Sequence, residues 1–176
     1  MNRSEGFDKK TICLSEIRTE IWNGWIYITL NPQAQSIREA LARLHEVVAR
    51  YEMENYVSVL QEEHVWRTNW KLLTENFMEG YHRSVAHKAT VRTWFRLDKT
   101  VFPAETNAAF TYQIFIKTGK ATYGQAHPNN TKLHDQWRKT SILPSAFPPH
   151  MYVLAPDHLW YLSLRCAALR CAALRC

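Results

Sequence analysis

Three side chains able to bind a metal ion lie close together in the sequence: Glu79, His82 and His87. Two imidazoles and a carboxylate suit a borderline divalent ion such as ferrous iron, with further positions left open for other ligands. Spacing alone leaves a structural explanation open, because histidines also stabilise the negative end of a helix and Glu79 can form a salt link there. The segment therefore indicates either part of a metal site or an ordinary helix end.

The spacing of these residues restricts how the backbone must run. Glu79 and His82 are three residues apart and would share one face of a helix. His82 and His87 are five residues apart, which places them about 140° apart around a straight helix. We therefore expect the helix to end or unwind near Arg83 and Ser84, so that both imidazoles can face one ion.

Two helices are predicted from the spacing of apolar residues. The first spans Ser36–Tyr51, where Ser36 and Glu39 suggest a capping box. The second spans Trp70–Tyr81, has Asn69 as its N-cap, and carries the candidate acid.

Strands account for most of the remaining pattern, because apolar and β-branched residues alternate or cluster in short runs. These runs are Glu20–Asn31, Asn55–Arg67, Ala108–Lys117, Arg138–Leu143, His150–Leu154 and Leu159–Leu164. The first run is expected to be covered on both faces. This order of elements favours an α+β domain, an antiparallel β-sheet flanked by helices.

Composition and charge exclude several classes of protein. Hydrophobic residues make up 46% of the 176 residues and charged residues 22%, a normal balance for a folded domain. The net charge is +6, but basic residues are interspersed with acidic ones, which argues against nucleic-acid binding. No apolar stretch is long enough for a membrane span, and the N-terminus lacks a signal core. We therefore expect a cytoplasmic protein that binds neither nucleic acid nor membrane.

The C-terminal tail LRCAALRCAALRC repeats a unit of five residues. The spacing of its cysteines matches none of the common zinc or disulfide patterns. We interpret residues 165–176 as non-native sequence.

The segment from Asn69 to Thr90 resembles the catalytic-domain signature of Rieske non-haem iron oxygenases, the aromatic-ring-hydroxylating dioxygenase alpha-subunit family. That signature has Asn-Trp-Lys, then Glu-Asn, then an acid three residues before a histidine, and a second histidine five residues further on. The matching residues are Asn69, Trp70, Lys71, Glu75, Asn76, Glu79, His82 and His87, with Tyr81 before the first histidine. Glu20–Pro32 also resembles the junction between the two domains of that family, and the likeness covers roughly residues 16–164.

The resemblance implies a role for each residue. His82 and His87 would be the imidazole ligands of a mononuclear Fe(II). Glu79 would be a catalytic acid beside them that links the iron to a Rieske-cluster histidine of a neighbouring subunit. Residues expected to support the site are Trp70, Asn76 and Tyr81. Core packing explains the first of these equally well.

The resemblance also implies parts that the sequence does not show. A Rieske [2Fe-2S] cluster binds two cysteines and two histidines, and no such pattern occurs here. The cluster is therefore expected only in an N-terminal domain before residue 1, with 1–31 as the end of a linker and 32–164 as a partial catalytic domain of helix-grip type. The third iron ligand of the family, an aspartate on a later helix, is not identified. Asp157 is the nearest carboxylate, but its neighbours predict a turn.

The implied function is hydroxylation of an aromatic or N-methylated organic substrate with O2. The whole enzyme would be a homotrimer that takes electrons from an NAD(P)H-dependent reductase or a ferredoxin, and this chain alone is expected to be inactive. The alternative is a non-catalytic ligand-binding α+β domain in which the histidine pair is incidental. A truncated product with no function of its own is compatible with the first hypothesis.

Overall fold

The chain begins its regular structure with a two-stranded hairpin. The computed structural model describes residues 13–93, 95–103, 109–117, 124–147 and 150–163. Strand β1 (Arg18–Trp22) pairs antiparallel with β2 (Trp25–Thr29). Asn23 and Gly24 form the turn with φ of 45° and 84°, because a two-residue hairpin turn needs positive φ at both positions. The prediction of one continuous strand over Glu20–Asn31 is therefore wrong.

In the described part of the chain, only one face of this hairpin is covered. Trp22 is buried and packs in the core with Trp25 and Tyr27 beside it. On the opposite face Ile26 and Ile28 are 70% and 69% exposed. The prediction that both faces are covered is also wrong, because successive side chains of a strand point to opposite sides and the rest of the domain lies on one of them.

The predicted helix Ser36–Tyr51 is present but broken. It forms α1 (Ile37–Ala40), α2 (Ala42–Val48) and a 3-10 turn (Ala49–Tyr51). The break falls at Leu41, whose φ of −105° and ψ of 15° are not helical and whose side chain is completely buried.

The N-terminus of α1 is capped, although not by the capping box. Ser36 Oγ accepts from the Arg38 N–H at 3.3 Å, as an N-cap should. The carboxylate partner comes from Glu20 on β1, which accepts from the Ser36 hydroxyl at 2.6 Å and from the Ile37 N–H at 3.1 Å. Glu39 is not the carboxylate partner of the cap, because Glu20, which is distant in sequence, already occupies that position.

Within the described residues the main sheet has five strands, each antiparallel to its neighbours. In spatial order they are β3 (Thr100–Val101), β4 (Phe110–Ile116), β5 (Thr140–Ala146), β6 (His150–Leu154) and β7 (Leu159–Ser163). The predicted α+β class with an antiparallel sheet is confirmed. Strands β4, β6 and β7 match their predicted positions to within one or two residues; residues 108, 148, 149 and 164 lie outside the described ranges.

Strand β5 runs through a proline. It was predicted to end at Leu143, but it continues past Pro144 to Ala146. Residues Ile142, Ser145 and Ala146 pair with β6, whereas the two positions between them do not. Proline lacks an N–H and interrupts the ladder locally. The strand persists because β4 pairs with it along its whole length.

The two faces of the sheet have different partners, because side chains alternate along β4. On one face the core is formed with the hairpin and α2, and Leu44, Val48, Ile142 and Leu154 are completely buried there. On the other face Gln113 and Phe115 meet the segment that carries the candidate metal ligands. Trp22 of the hairpin packs in the core on the first of these faces, together with residues after position 31. The predicted division of the chain at residue 31, into a linker and a catalytic part, stays a prediction.

Residues 56–66 form no regular structure, so the predicted strand Asn55–Arg67 is wrong. Val57 and Val59 are 80% and 90% exposed, and no strand lies beside them within the described ranges. A strand needs a neighbour to bond its backbone, and the alternating sequence does not supply one.

Two predictions from the sequence remain as they were. Residues 165–176, interpreted as a non-native tail, lie outside the described ranges. No helix in the described part of the chain is long and apolar enough to cross a bilayer. The cytoplasmic location stays a prediction.

Candidate metal site

The histidine-bearing segment consists of two short helices with a break between them. Helix α3 (Trp70–Met78) begins at Asn69, whose Oδ1 accepts from the Lys71 N–H at 2.9 Å, as predicted for an N-cap. Glu79 has extended backbone angles of φ −89° and ψ 157°. Helix α4 (His82–Val85) follows.

The position of this break differs from the prediction. The helix predicted to reach Tyr81 ends at Met78, so Glu79 and His82 do not share a helical face. The second helix ends at Val85, close to the Arg83–Ser84 position expected from the spacing of the histidines. Gly80 lies in the link between the two helices, a break that the spacing of the apolar residues does not indicate.

Glu79 nevertheless contacts His82, because the extended backbone turns its side chain over the start of α4. Its Oε1 contacts Nδ1 of the His82 ring, and its Oε2 accepts from the His82 main-chain N–H at 3.3 Å. Both side chains are about one fifth exposed. The carboxylate therefore holds the ring and the first turn of α4 together.

The rings of His82 and His87 lie face to edge, with centroids 5.2 Å apart and planes at 70°. His87 follows α4 in a turn, where its carbonyl accepts from the Thr90 and Arg92 N–H groups at 3.2 and 3.0 Å. The end of α4 thus returns the chain so that the second imidazole lies beside the first. The structure brings together all three residues that the spacing singled out.

The separation of the rings fits two ligands of one ion. At a metal–nitrogen distance of about 2.1 Å, a ring centroid lies about 3.2 Å from the metal, so two rings roughly 105° apart about the ion have centroids about 5 Å apart. Nδ1 of His82 is occupied by Glu79, which leaves Nε2 for a metal. Histidine nitrogens suit iron and other borderline divalent ions. The donor set therefore fits a mononuclear iron that is partly ligated.

The surroundings favour a neutral His82. Burial lowers the pKa of this ring, and the neighbouring His87 and Arg83 lower it further because a second positive charge is disfavoured there. A metal binds only the unprotonated nitrogen. The pKa shift therefore keeps the ligand atom available near neutral pH.

Two residues that the sequence did not single out support the break. Arg83 is only 6% exposed, and its Nε donates to the Gly80 carbonyl at 3.1 Å. Gln113 is 1% exposed and donates to the carbonyl of Met78, the last residue of α3. The sequence contained one signal, because Gln113 is a polar residue inside the apolar run of β4.

The three predicted supporting residues lie in different surroundings. Trp70 is half-buried, and its ring lies 6.2 Å from that of Phe147, which is itself 61% exposed. Asn76 is exposed, and the Tyr81 side chain is 73% exposed. Their support of the site stays a prediction.

Among the residues that the structure describes, no third ligand lies beside the two histidines. The described residues contain no group of three histidine, cysteine, aspartate or glutamate side chains arranged to hold a metal. Asp157 lies in the bend between β6 and β7, as predicted, and contacts its neighbour His158 at 2.5 Å.

Comparison with known families supports one assignment. The family model for the ring hydroxylating alpha subunit (catalytic domain) matches residues 53–165. This range contains α3, α4 and the whole five-stranded sheet, and it covers more than half of the chain.

Curated proteins of similar sequence are oxygenase subunits. The glycine betaine monooxygenase oxygenase subunit of Chromohalobacter salexigens is 32% identical over 104 residues, which are 59% of this chain and 23% of that protein. The corresponding subunit of Pseudomonas aeruginosa is 31% identical over 58% of this chain and 24% of that protein. The carnitine monooxygenase oxygenase subunit of Escherichia coli is 31% identical over 46% of this chain and 22% of that protein. This chain thus spans about a quarter of the length of these relatives.

Solved structures with the same fold include a quaternary ammonium Rieske monooxygenase in complex with an inhibitor. Its TM-score is 0.67 at 18% identity, over 89% of this chain and 39% of that chain. A second structure of a quaternary ammonium Rieske monooxygenase has a TM-score of 0.66 at 18% identity and covers 91% of this chain and 41% of that one. These likenesses establish the fold.

Proposed function

We propose that this chain, which belongs to the ring hydroxylating alpha subunit family through its catalytic domain, forms part of a mononuclear iron site that activates O2 to oxidise a quaternary ammonium compound. The observation that carries the proposal is the 5.2 Å separation of the ring centroids of His82 and His87, with the Glu79 carboxylate in contact with Nδ1 of His82. Members of this family generally use a mononuclear iron together with a Rieske [2Fe-2S] cluster.

The role of Glu79 in the proposal is to fix a proton. A carboxylate accepts hydrogen bonds, so its contact with Nδ1 of His82 requires the ring hydrogen to be on that nitrogen. The lone pair is then on Nε2, which is the form that binds a metal. When bound, the iron would supply electrons and open coordination positions for O2.

The substrate class follows from the relatives. The curated relatives are named for glycine betaine and carnitine, which carry a quaternary nitrogen. We propose the same class here. The comparisons give no support to the aromatic alternative or to aromatic hydrocarbon catabolism. A quaternary nitrogen has no N–H to donate, so aromatic faces and carboxylates are the groups that recognise it.

The remaining parts of the reaction are proposed from the family. Its members generally need a reductase or ferredoxin and form multimers, and we propose a homotrimer with electrons delivered from NAD(P)H. The division into a linker over 1–31 and a catalytic part over 32–164 belongs to the same proposal. Two imidazoles alone should hold iron weakly, so we expect no turnover from this chain by itself.

Metal titration tests the proposal. We expect the full chain to bind one Co(II), used as an air-stable probe for Fe(II), and His82→Ala or His87→Ala to abolish that binding. His64→Ala is the matched control, since His64 also pairs with a glutamate, Glu62, at 3.4 Å, but is well exposed. Unchanged loading in both site variants would instead favour the non-catalytic ligand-binding domain.

A further inference from the structure

We infer that Arg83 and Gln113 are positioning residues that together fix the break between α3 and α4 and so set the relation of His82 to His87. The inference rests on the proposed iron site and adds to it the part of the fold that holds the site in place. Its basis is a set of contacts between the broken segment and strand β4. We call these two residues the break clamp.

Gln113 holds the end of the first helix. The last carbonyls of a helix have no partner within it and need one from elsewhere. The Gln113 side chain is on β4 and donates from Nε2 to the Met78 carbonyl. A residue 35 positions away in sequence thus ends α3 at Met78 and links that end to the rigid sheet.

Arg83 holds the start of the second helix. Its Nε and its main-chain N–H both donate to the Gly80 carbonyl, at 3.1 and 3.2 Å. Gly80, in the link between the two helices, is therefore bonded to Arg83, the residue that follows His82. The guanidinium lies 4.6 Å from the centre of the Phe115 ring and 3.5 Å from Oε1 of Gln113.

These contacts make one connected unit, since Gln113 contacts the end of α3 and also the side chain that holds α4. Burying a guanidinium is costly, and Arg83 is only 6% exposed. Burial accordingly lowers the pKa of Arg83. The contacts that Arg83 makes at the break must therefore offset the free energy needed to remove its guanidinium from water.

Co(II) affinity of the full chain tests the clamp. Arg83→Lys keeps the charge but loses the planar head that reaches two acceptors, and Gln113→Met removes both side-chain contacts. We expect each to weaken Co(II) binding about 10–100-fold, which is the usual effect of a residue that orients a ligand. Gln113→Glu keeps an acceptor for Arg83 but loses the donor to Met78, so its loss should be smaller.

Controls separate positioning from general instability. Arg38→Lys and Gln61→Met change exposed residues of the same types and should bind Co(II) as the unchanged chain does. Because affinity is measured on folded protein, lowered stability alone would leave both the affinity and the d–d absorption spectrum of bound Co(II) unchanged. Wild-type affinity and spectrum in Arg83→Lys and Gln113→Met would overturn the inference while the proposed function stands.

A metal-free measurement keeps the two hypotheses distinguishable. The amides of Arg83, Ser84 and Ala86 bond to carbonyls across the break and along α4. If the unchanged chain binds no Co(II), the proposed function fails, and hydrogen exchange decides on the clamp. Exchange of these amides at least about tenfold faster in Arg83→Lys and Gln113→Met, with the β5 amides unchanged, would support it. Unchanged exchange would overturn it.

Discussion

Gly80→Ala should destabilise the chain although its backbone is not in a conformation reserved for glycine. A Cβ at this position would lie 2.2 Å from Nη2 of Arg83 and 3.0 Å from Cδ1 of Leu97. Ordinary contacts begin near 3.4 Å, so the guanidinium would have to move by more than an ångström. Moving it disturbs the bond to the Gly80 carbonyl and the position over Phe115.

The expected magnitude follows from these contacts. A hydrogen bond to a charged group contributes about 1.5–3 kcal/mol, and a partly desolvated cation-π contact about 1 kcal/mol. Replacing glycine by alanine restricts the unfolded chain and returns about 0.4–1 kcal/mol. We therefore expect the free energy of unfolding to fall by about 1.5–3.5 kcal/mol, with weaker Co(II) binding if the site is as proposed.

Urea unfolding followed by circular dichroism measures this change, and two variants make the assay specific. Val85→Ala, in α4 and 81% exposed, is the control and should change stability by no more than about 0.5 kcal/mol. Arg83→Met should make Gly80→Ala clearly less costly, because the guanidinium nitrogen is gone and the 3.0 Å approach to Leu97 remains. If Gly80→Ala is neutral, or costs as much without Arg83 as with it, the reasoning about the clamp is refuted.

Three other predictions concern the fold. Gly24→Ala should lower the free energy of unfolding by about 1–2 kcal/mol or more, because φ is 84° and the new Cβ would lie 2.9 Å from Cα of Glu54; thermal melting measures it. Tyr51→Phe should cost about 0.5–1.5 kcal/mol in urea unfolding, since its hydroxyl donates to a β5 carbonyl at 2.8 Å. Burial lowers the pKa of His82 and of His150 below their ordinary value of 6.5. As the pH drops below about 6.5 the unfolded chain therefore binds protons before the folded chain does, and the free energy of unfolding should fall. Melting curves at pH 7.5 and 5.5 would show this loss, and His150→Phe should reduce it.

The candidate site was predictable from the sequence because its residues are local. Glu79, His82 and His87 lie within one short segment, and their spacing already required a chain that does not continue as a straight helix. The position of the first break was not predictable in the same way. It depends on Gln113, whose side chain meets Met78 from a strand 35 residues later, and no local pattern indicates such a contact.

The same distinction explains the errors in the fold. Alternation indicated β4, β6 and β7 correctly, because each has a neighbouring strand that bonds its backbone. Alternation also indicated a strand over Asn55–Arg67, where no partner is present in the described ranges. The hairpin error is different, since Asn23-Gly24 is a strong turn signal within the sequence, but the dense apolar residues on both sides of it resemble one continuous strand.

The register of β4 against β5 is what places the clamp on the correct side of the sheet. Seven residue pairs fix this register, from Phe110 opposite Ala146 to Ile116 opposite Thr140. A slip of one residue would turn Ile114 toward the break and Gln113 into the apolar core, exchanging a required donor for a side chain without one. Pro144 interrupts pairing only toward β6, so the β4 side of β5 retains its full ladder. The relative position of His82, on α4, and His87, in the turn that follows α4, therefore depends on a strand pair that contains neither of them.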